Sequence, residues 1–133
     1  MKNKKILFIC KHNRFRSKIA EAYFNKINKN KKIKAISGGI IKGIPIAKNV
    51  IDFGKKNGLR INKQTRGLDE AELEKIDKII IVADNIPPSL FKRWKKKLIV
   101  LKIPDCSQND KKRIEKISKL IMKKVDKFAE ELK

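Results

Sequence analysis

Several residue types are scarce in this chain, and each scarcity closes off a class of protein. Of 133 residues two are cysteine, one is histidine, one tryptophan and one tyrosine, and 14 acidic side chains face 36 basic ones. Cys10 and Cys106 are too few for a disulfide framework, so a secreted, disulfide-stapled scaffold is excluded and Cys10 is expected to be a free thiol. A single histidine, His12, and two distant cysteines offer no zinc-binding spacing, and neither a metal nor another cofactor is expected. No apolar run approaches the roughly 18 residues of a membrane span, and the opening "MKNKKILFIC" returns to charge too soon for a signal-peptide core. The expectation is a soluble, cytoplasmic monomer of one domain without a membrane partner, and 41% apolar residues suffice for one packed core.

The shortage of acids leaves a formal net charge of +22. A positive field of that size draws phosphorylated proteins, nucleic acid and anionic surfaces alike. It does not choose among them. Thirty lysines against 6 arginines, spread through every segment, also fit a lysine- and isoleucine-rich background composition.

What is present is an alternation of short apolar runs with helical patterns. "KKILFIC" ends abruptly at a polar loop, as a buried parallel strand does, and "KIIIVA" (78–83) and "KLIVLKIP" repeat that signature. "KIKAIS" reads as a further strand, stopped by Gly38 and Gly39. A helix is expected from about Ser17, where Ile19, Ala20, Tyr23, Phe24 and Ile27 form a stripe and Ser17 with Glu21 supplies capping chemistry. A second helix fits 45–56, with Pro45 in its first turn and Gly58 at its stop, and a long amphipathic helix fits 109–133. Such alternation predicts an α/β fold: a three-layer sandwich with a parallel sheet, helices on both faces, and ligands at the carboxyl ends of strands. Cys10 stands at such an end.

Between strand and helix lies "CKHNRFRS", with five residues separating Cys10 from Arg16. A loop of that length curls so that its backbone N–H groups, from Lys11, His12, Asn13, Arg14, Phe15 and Arg16, form a nest for a tetrahedral oxyanion at a helix N-terminus. Arg16 is suited to grip two oxygens, and the same positive potential stabilises a thiolate, so Cys10 is expected to be a nucleophile. Ser17 follows directly and can donate to that thiolate, and Asn13 tolerates the left-handed backbone a tight loop needs. The plain alternative is a buried cysteine among cations that merely follow the composition.

The sequence here resembles the low-molecular-weight protein tyrosine phosphatase family, which includes related arsenate reductases. "ICKHNRFRS" resembles the phosphate loop, "ISGG" the family's segment after the second strand, "IVADN" its motif after the third, and Asp105 in "KIPDCSQND" its general acid. The resemblance implies a four-stranded parallel sheet and cysteine-dependent hydrolysis of a phosphorylated protein or small phosphomonoester. Under it Cys10 is the nucleophile, Arg16 the phosphate clamp and Asp105 the acid, while Asn13 and Ser17 hold the loop and Ser37 supports Asn13. Should Asp105 be only a cap, Asp84 is the next acid to consider.

Departures from the family pattern are local. His12 stands where glycine is usual, Phe15 where a second cysteine is frequent, and Cys106 where proline follows the acid. His12 is read as a loop residue presenting its backbone amide, and Cys106 as a thiol able to form a reversible disulfide with Cys10 should the acid loop close. "GGIIKGIP" and "DCSQND" lack the aromatics that wall the family's phosphotyrosine pocket, so a shallower preference for phosphotyrosine is expected. Two other functions remain in view. Arsenate reduction would use the same cradle but needs further thiols, and "ADNIPPSLFKRWKKK" has none. Nucleic-acid binding could use Phe91 and Trp94 among the cations of "FKRWKKK", although packing of both rings on the core is the favoured reading.

Overall fold

The computed structural model describes residues 3–41 and 44–132. Four parallel strands, β1 (Lys4–Cys10), β2 (Ile33–Gly39), β3 (Lys78–Val82) and β4 (Leu98–Leu101), form one sheet in the order β2-β1-β3-β4. Four α-helices, α1 (Arg16–Ile27), α2 (Lys48–Lys56), α3 (Glu70–Lys75) and α4 (Lys111–Glu131), and one 3-10 segment (Pro88–Lys97) complete the elements of the described residues. The expected α/β architecture is present.

Burial explains why the apolar runs are strands. From Ile6 to Cys10 every β1 residue is buried, although alternate side chains leave opposite faces of the sheet. Phe8 faces α1 and α4, its ring 6.1 Å from Phe24 and 6.2 Å from Phe128. Leu7 and Ile9 leave the other face and are fully buried there, so both faces are covered. Each such side chain contributes about 1.5–3 kcal/mol by leaving water. The three rings add edge and tilted contacts of about 1 kcal/mol each.

Several boundaries differ from the sequence expectation. β2 does not stop at Gly38 but runs through Gly39, with Gly38 opposite Ile9 and Gly39 opposite Cys10. Glycine serves close approach there: a Cβ on Gly39 would lie 2.8 Å from the Asn13 nitrogen and from the His12 carbonyl carbon. α2 starts at Lys48 rather than Pro45, because Ala47 is still extended at φ −68° and ψ 150°. α3, unexpected from the sequence, is capped by Asp69, whose side chain accepts from the Ala71 N–H, and carries Glu70 and Glu72 in its first turn. α4 is capped by Asp110 and ends at Glu131; the predicted end at Lys133 lies outside the described residues. Phe91 and Trp94 are buried and pack ring to ring at 6.4 Å, so neither face is offered to a nucleic-acid base.

Candidate active site

Cys10 ends β1, the strand at which the sheet order reverses, with β2 on one side and β3 on the other. Such a point opens a crevice beyond the carboxyl ends of the strands. The chain crosses it in one turn and enters α1 at Arg16. Asn13 takes the left-handed conformation in that turn at φ 54°, a backbone that asparagine tolerates better than most residues.

Beneath the turn runs a chain of buried hydrogen bonds. The Asn13 amide donates to Ser17 Oγ at 2.8 Å and to Ser37 Oγ at 2.9 Å, while its Oδ1 accepts from the Arg66 backbone N–H at 3.0 Å. That acceptor fixes which way the amide faces. Ser37 in turn donates to Glu21 Oε1. Ser17 Oγ lies 2.9 Å from Cys10 Sγ, and with the Asn13 amide already donating to it, its own proton is available to the sulfur. The expectation that Ser17 caps α1 fails for this reason. Phe15 occupies the cap position without a side-chain cap bond, and the Ser17 hydroxyl is spent on Cys10 and Asn13.

Arg16 is 2% exposed and joins the turn to the other two strand exits. Its guanidinium donates to the Ile103 carbonyl at 2.8 Å and to Asn85 Oδ1 at 3.1 Å, with Asp105 Oδ2 at 3.4 Å and Asp84 Oδ1 at 3.6 Å. The loop that carries Asp105 therefore reaches Arg16. A cavity of about 260 Å3 opens above, lined by Cys10, His12, Arg14, Phe15 and Arg16 on one side and by Ile44, Asp105, Cys106, Ser107 and Gln108 on the other. Lys11 is exposed and absent from that lining, and Asn13, Ser17 and Ser37 lie below it. Phe15 is its one aromatic among the described residues, in keeping with the missing wall aromatics. Burial, followed by the Asp105 carboxylate, pushes the Cys106 thiol above its ordinary pKa.

The sequence did not reveal Arg66, Asn85 or Lys18. Arg66 donates from Nε to the Ser37 carbonyl at 2.8 Å and pairs through its two terminal nitrogens with the Glu72 carboxylate, which moors the loop segment beside β2. No local pattern marks it. Spacing within a loop carries no sign of such contacts: Arg66 reaches Ser37 across 29 positions and Arg16 reaches Asn85 across 69.

The family model for low molecular weight phosphotyrosine protein phosphatase matches residues 5–133. The chain belongs to this family. Its members are cysteine-dependent hydrolases of phosphomonoesters, and that is the enzyme class of this chain. Among solved structures, the low molecular weight protein tyrosine phosphatase from T. tengcongensis aligns with a TM-score of 0.86 at 24% identity, over 96% of this chain and 99% of that one. An arsenate reductase from Archaeoglobus fulgidus aligns at 0.79 and 27% identity, over 93% and 98%. The YwlE arginine phosphatase from Geobacillus stearothermophilus aligns at 0.84 and 16% identity, over 97% and 92%. Likenesses at the lower identities speak for the phosphatase fold; membership rests on the family match. No curated protein matches the chain.

Proposed function

We propose that Cys10, Arg16 and Asp105 carry phosphomonoester hydrolysis through a cysteinyl-phosphate intermediate. The observation that supports this most is the meeting of all three in one cavity, with the Ser17 hydroxyl 2.9 Å from the Cys10 sulfur and Asp105 3.4 Å from Arg16. The substrate dianion settles in the turn, held by the backbone amides of 11–16, and takes over guanidinium donors that Asp105 and Asn85 hold in its absence. The Cys10 thiolate attacks phosphorus in line while Asp105 passes its proton to the leaving oxygen. A sulfur–phosphorus bond forms and the phosphorus–oxygen bond breaks. Asp105, now a carboxylate, takes a proton from water as that water attacks phosphorus, releasing inorganic phosphate and restoring the thiolate.

Substrates are phosphorylated proteins or small phosphomonoesters, with acidic surroundings favoured by the charge of +22 and aromatic esters favoured less than in pockets walled by rings. The chain acts as a one-domain monomer in the cytoplasm. No helix of the described residues is long and apolar enough to cross a membrane.

The test is metal-free hydrolysis of an aryl phosphate by the wild type, Cys10→Ser and Asp105→Asn. Turnover lost in the first and slowed in the second is expected; a tenth of the rate surviving in Cys10→Ser would remove Cys10 as nucleophile. Arsenate with an external thiol serves as the comparison substrate, and faster arsenate reduction than ester hydrolysis would turn the assignment toward a reductase.

A further inference from the structure

Lys18 is the one buried lysine among the described residues, 1% exposed, in a chain whose other described lysines reach solvent at least in part. It and Arg16 are the two buried cations among the described residues, and they flank Ser17 directly. Burying an ammonium costs several kcal/mol unless partners replace its water. Lys18 has two. Its Nζ donates to the Gln64 carbonyl at 2.6 Å and stands 3.9 Å from Glu21 Oε1.

One partner belongs to the chain of bonds that ends on Cys10, and the other adjoins it. Glu21 Oε1 is the same oxygen that accepts from Ser37, so Lys18 balances the charge of the carboxylate on which the Ser37 proton rests. Gln64 lies two residues before Arg66, whose backbone N–H orients the Asn13 amide. Lys18 thus grips the network at its acidic end and at the segment that aims its centre. The charged groups around it are Glu21 on its own helix, Arg66 from the flanking segment and Cys10 from β1. Burial pushes Lys18 below the ordinary lysine pKa, and Glu21 and then Cys10 oppose that shift while Arg66 adds to it.

We propose that Lys18 is a positioning residue for the cysteine chemistry: it holds Glu21 and the Gln64 carbonyl so that Ser37, Asn13 and Ser17 present the Ser17 hydroxyl to the Cys10 sulfur. This rests on Cys10 being the nucleophile. Removing the ammonium leaves Glu21 uncompensated behind the turn, loosens residues 64–66, and withdraws positive charge from the neighbourhood of the sulfur.

The experiment compares Lys18→Met, Lys18→Arg and, as a charge-matched control on the exposed side of α1, Lys26→Met, all in a Cys106→Ser background. Steady-state hydrolysis of an aryl phosphate gives kcat and KM, and the rate of Cys10 alkylation by iodoacetamide is followed against pH. Lys18→Met is expected to lose about tenfold or more in kcat with KM changed less than about threefold, and its alkylation profile to move to higher pH by roughly half to one unit. Lys18→Arg is expected to recover kcat to within about threefold, and Lys26→Met to resemble the wild type. A Lys18→Met enzyme with wild-type kcat and alkylation profile, whatever its Tm, overturns the proposal. Should Lys18→Met fail to fold, Lys18→Arg decides: near-wild-type kcat supports the positioning role and a loss above about tenfold overturns it. Alkylation does not require turnover, so a wild type without phosphatase activity would sink the catalytic reading while leaving the alkylation arm to judge Lys18.

Discussion

The two halves of the site are built in opposite ways. On the β1–α1 side, Asn13, Arg16, Ser17 and Ser37 are all at most 2% exposed, and Asn13, Ser17 and Ser37 are cross-linked by side-chain hydrogen bonds. On the β4–α4 side, the Asp105 side chain is 41% exposed, with one oxygen on the Cys106 backbone N–H at 2.9 Å and the other on Arg16. Under the proposed mechanism the contrast follows from the task of each half. A cradle for a tetrahedral dianion stabilises charge only if its donors are fixed before the charge arrives. A group that gives a proton to a leaving oxygen and takes one from water must stay in reach of solvent.

Substitutions on the two sides are expected to separate accordingly. The largest effect belongs to Cys10→Ser, which should lower turnover by well over about 10³-fold while phosphate still protects the protein against heat, since Arg16 and the turn remain. Loss of that protection would mean the cradle depends on the sulfur. Next is Asp105→Asn, expected to slow esters with poor leaving groups by about 10²–10⁴-fold and nitrophenyl phosphate far less, with Tm nearly unchanged because the residue is exposed. Equal slowing of good and poor leaving groups would make Asp105 a cap and turn attention to Asp84. Arg16→Lys should cost about 10²-fold in kcat/KM and also lower Tm, because a point charge cannot keep bonds to Ile103, Asn85 and Asp105 together.

A smaller effect is expected from Gly39→Ala. The new methyl meets the backbone of His12 and Asn13, which cannot swing aside as a flexible side chain would, so about 1–3 kcal/mol of stability should be lost together with phosphate affinity. Wild-type affinity in that variant would show that the turn tolerates displacement. The smallest lies away from the site. Tyr23 donates to Asp126 at 2.6 Å, and burial first, then that bond and the carboxylate charge, push its pKa up to about 12 from 10.0. The unfolded chain releases this proton at lower pH than the folded one. Its contribution to stability is therefore complete below about pH 10 and lost as pH rises toward 12. Tyr23→Phe should cost no more than about 1 kcal/mol at neutral pH and flatten the stability curve between those values, read by denaturant titration against wild type.

The difference between the halves also sets what could be read from the sequence. Cys10, Asn13, Arg16 and Ser17 fall close together at a strand-to-helix junction, so spacing and context together suggested a cradle, and "KKILFIC" announced the strand beneath it with the observed bounds. Asp105 had only a proline before it and a helix after it, and was legible through family resemblance. Gly38 and Gly39 were misread as a stop because a close approach between β2 and the turn is a fact of packing, invisible along the chain. Lys18 was hidden by abundance. In so lysine-rich a sequence, nothing local separates the one that is buried from those in water.

Arg16 is occupied even when nothing is bound. Its guanidinium already has a carbonyl, an amide oxygen and two carboxylates around it, so an arriving dianion displaces existing partners rather than filling a bare socket. The grip on any anion is then the difference between two sets of contacts. In the proposed cycle inorganic phosphate, the last species to leave, has Asp105 and Asp84 waiting to reclaim its place, and the resting arrangement would thereby work against product inhibition.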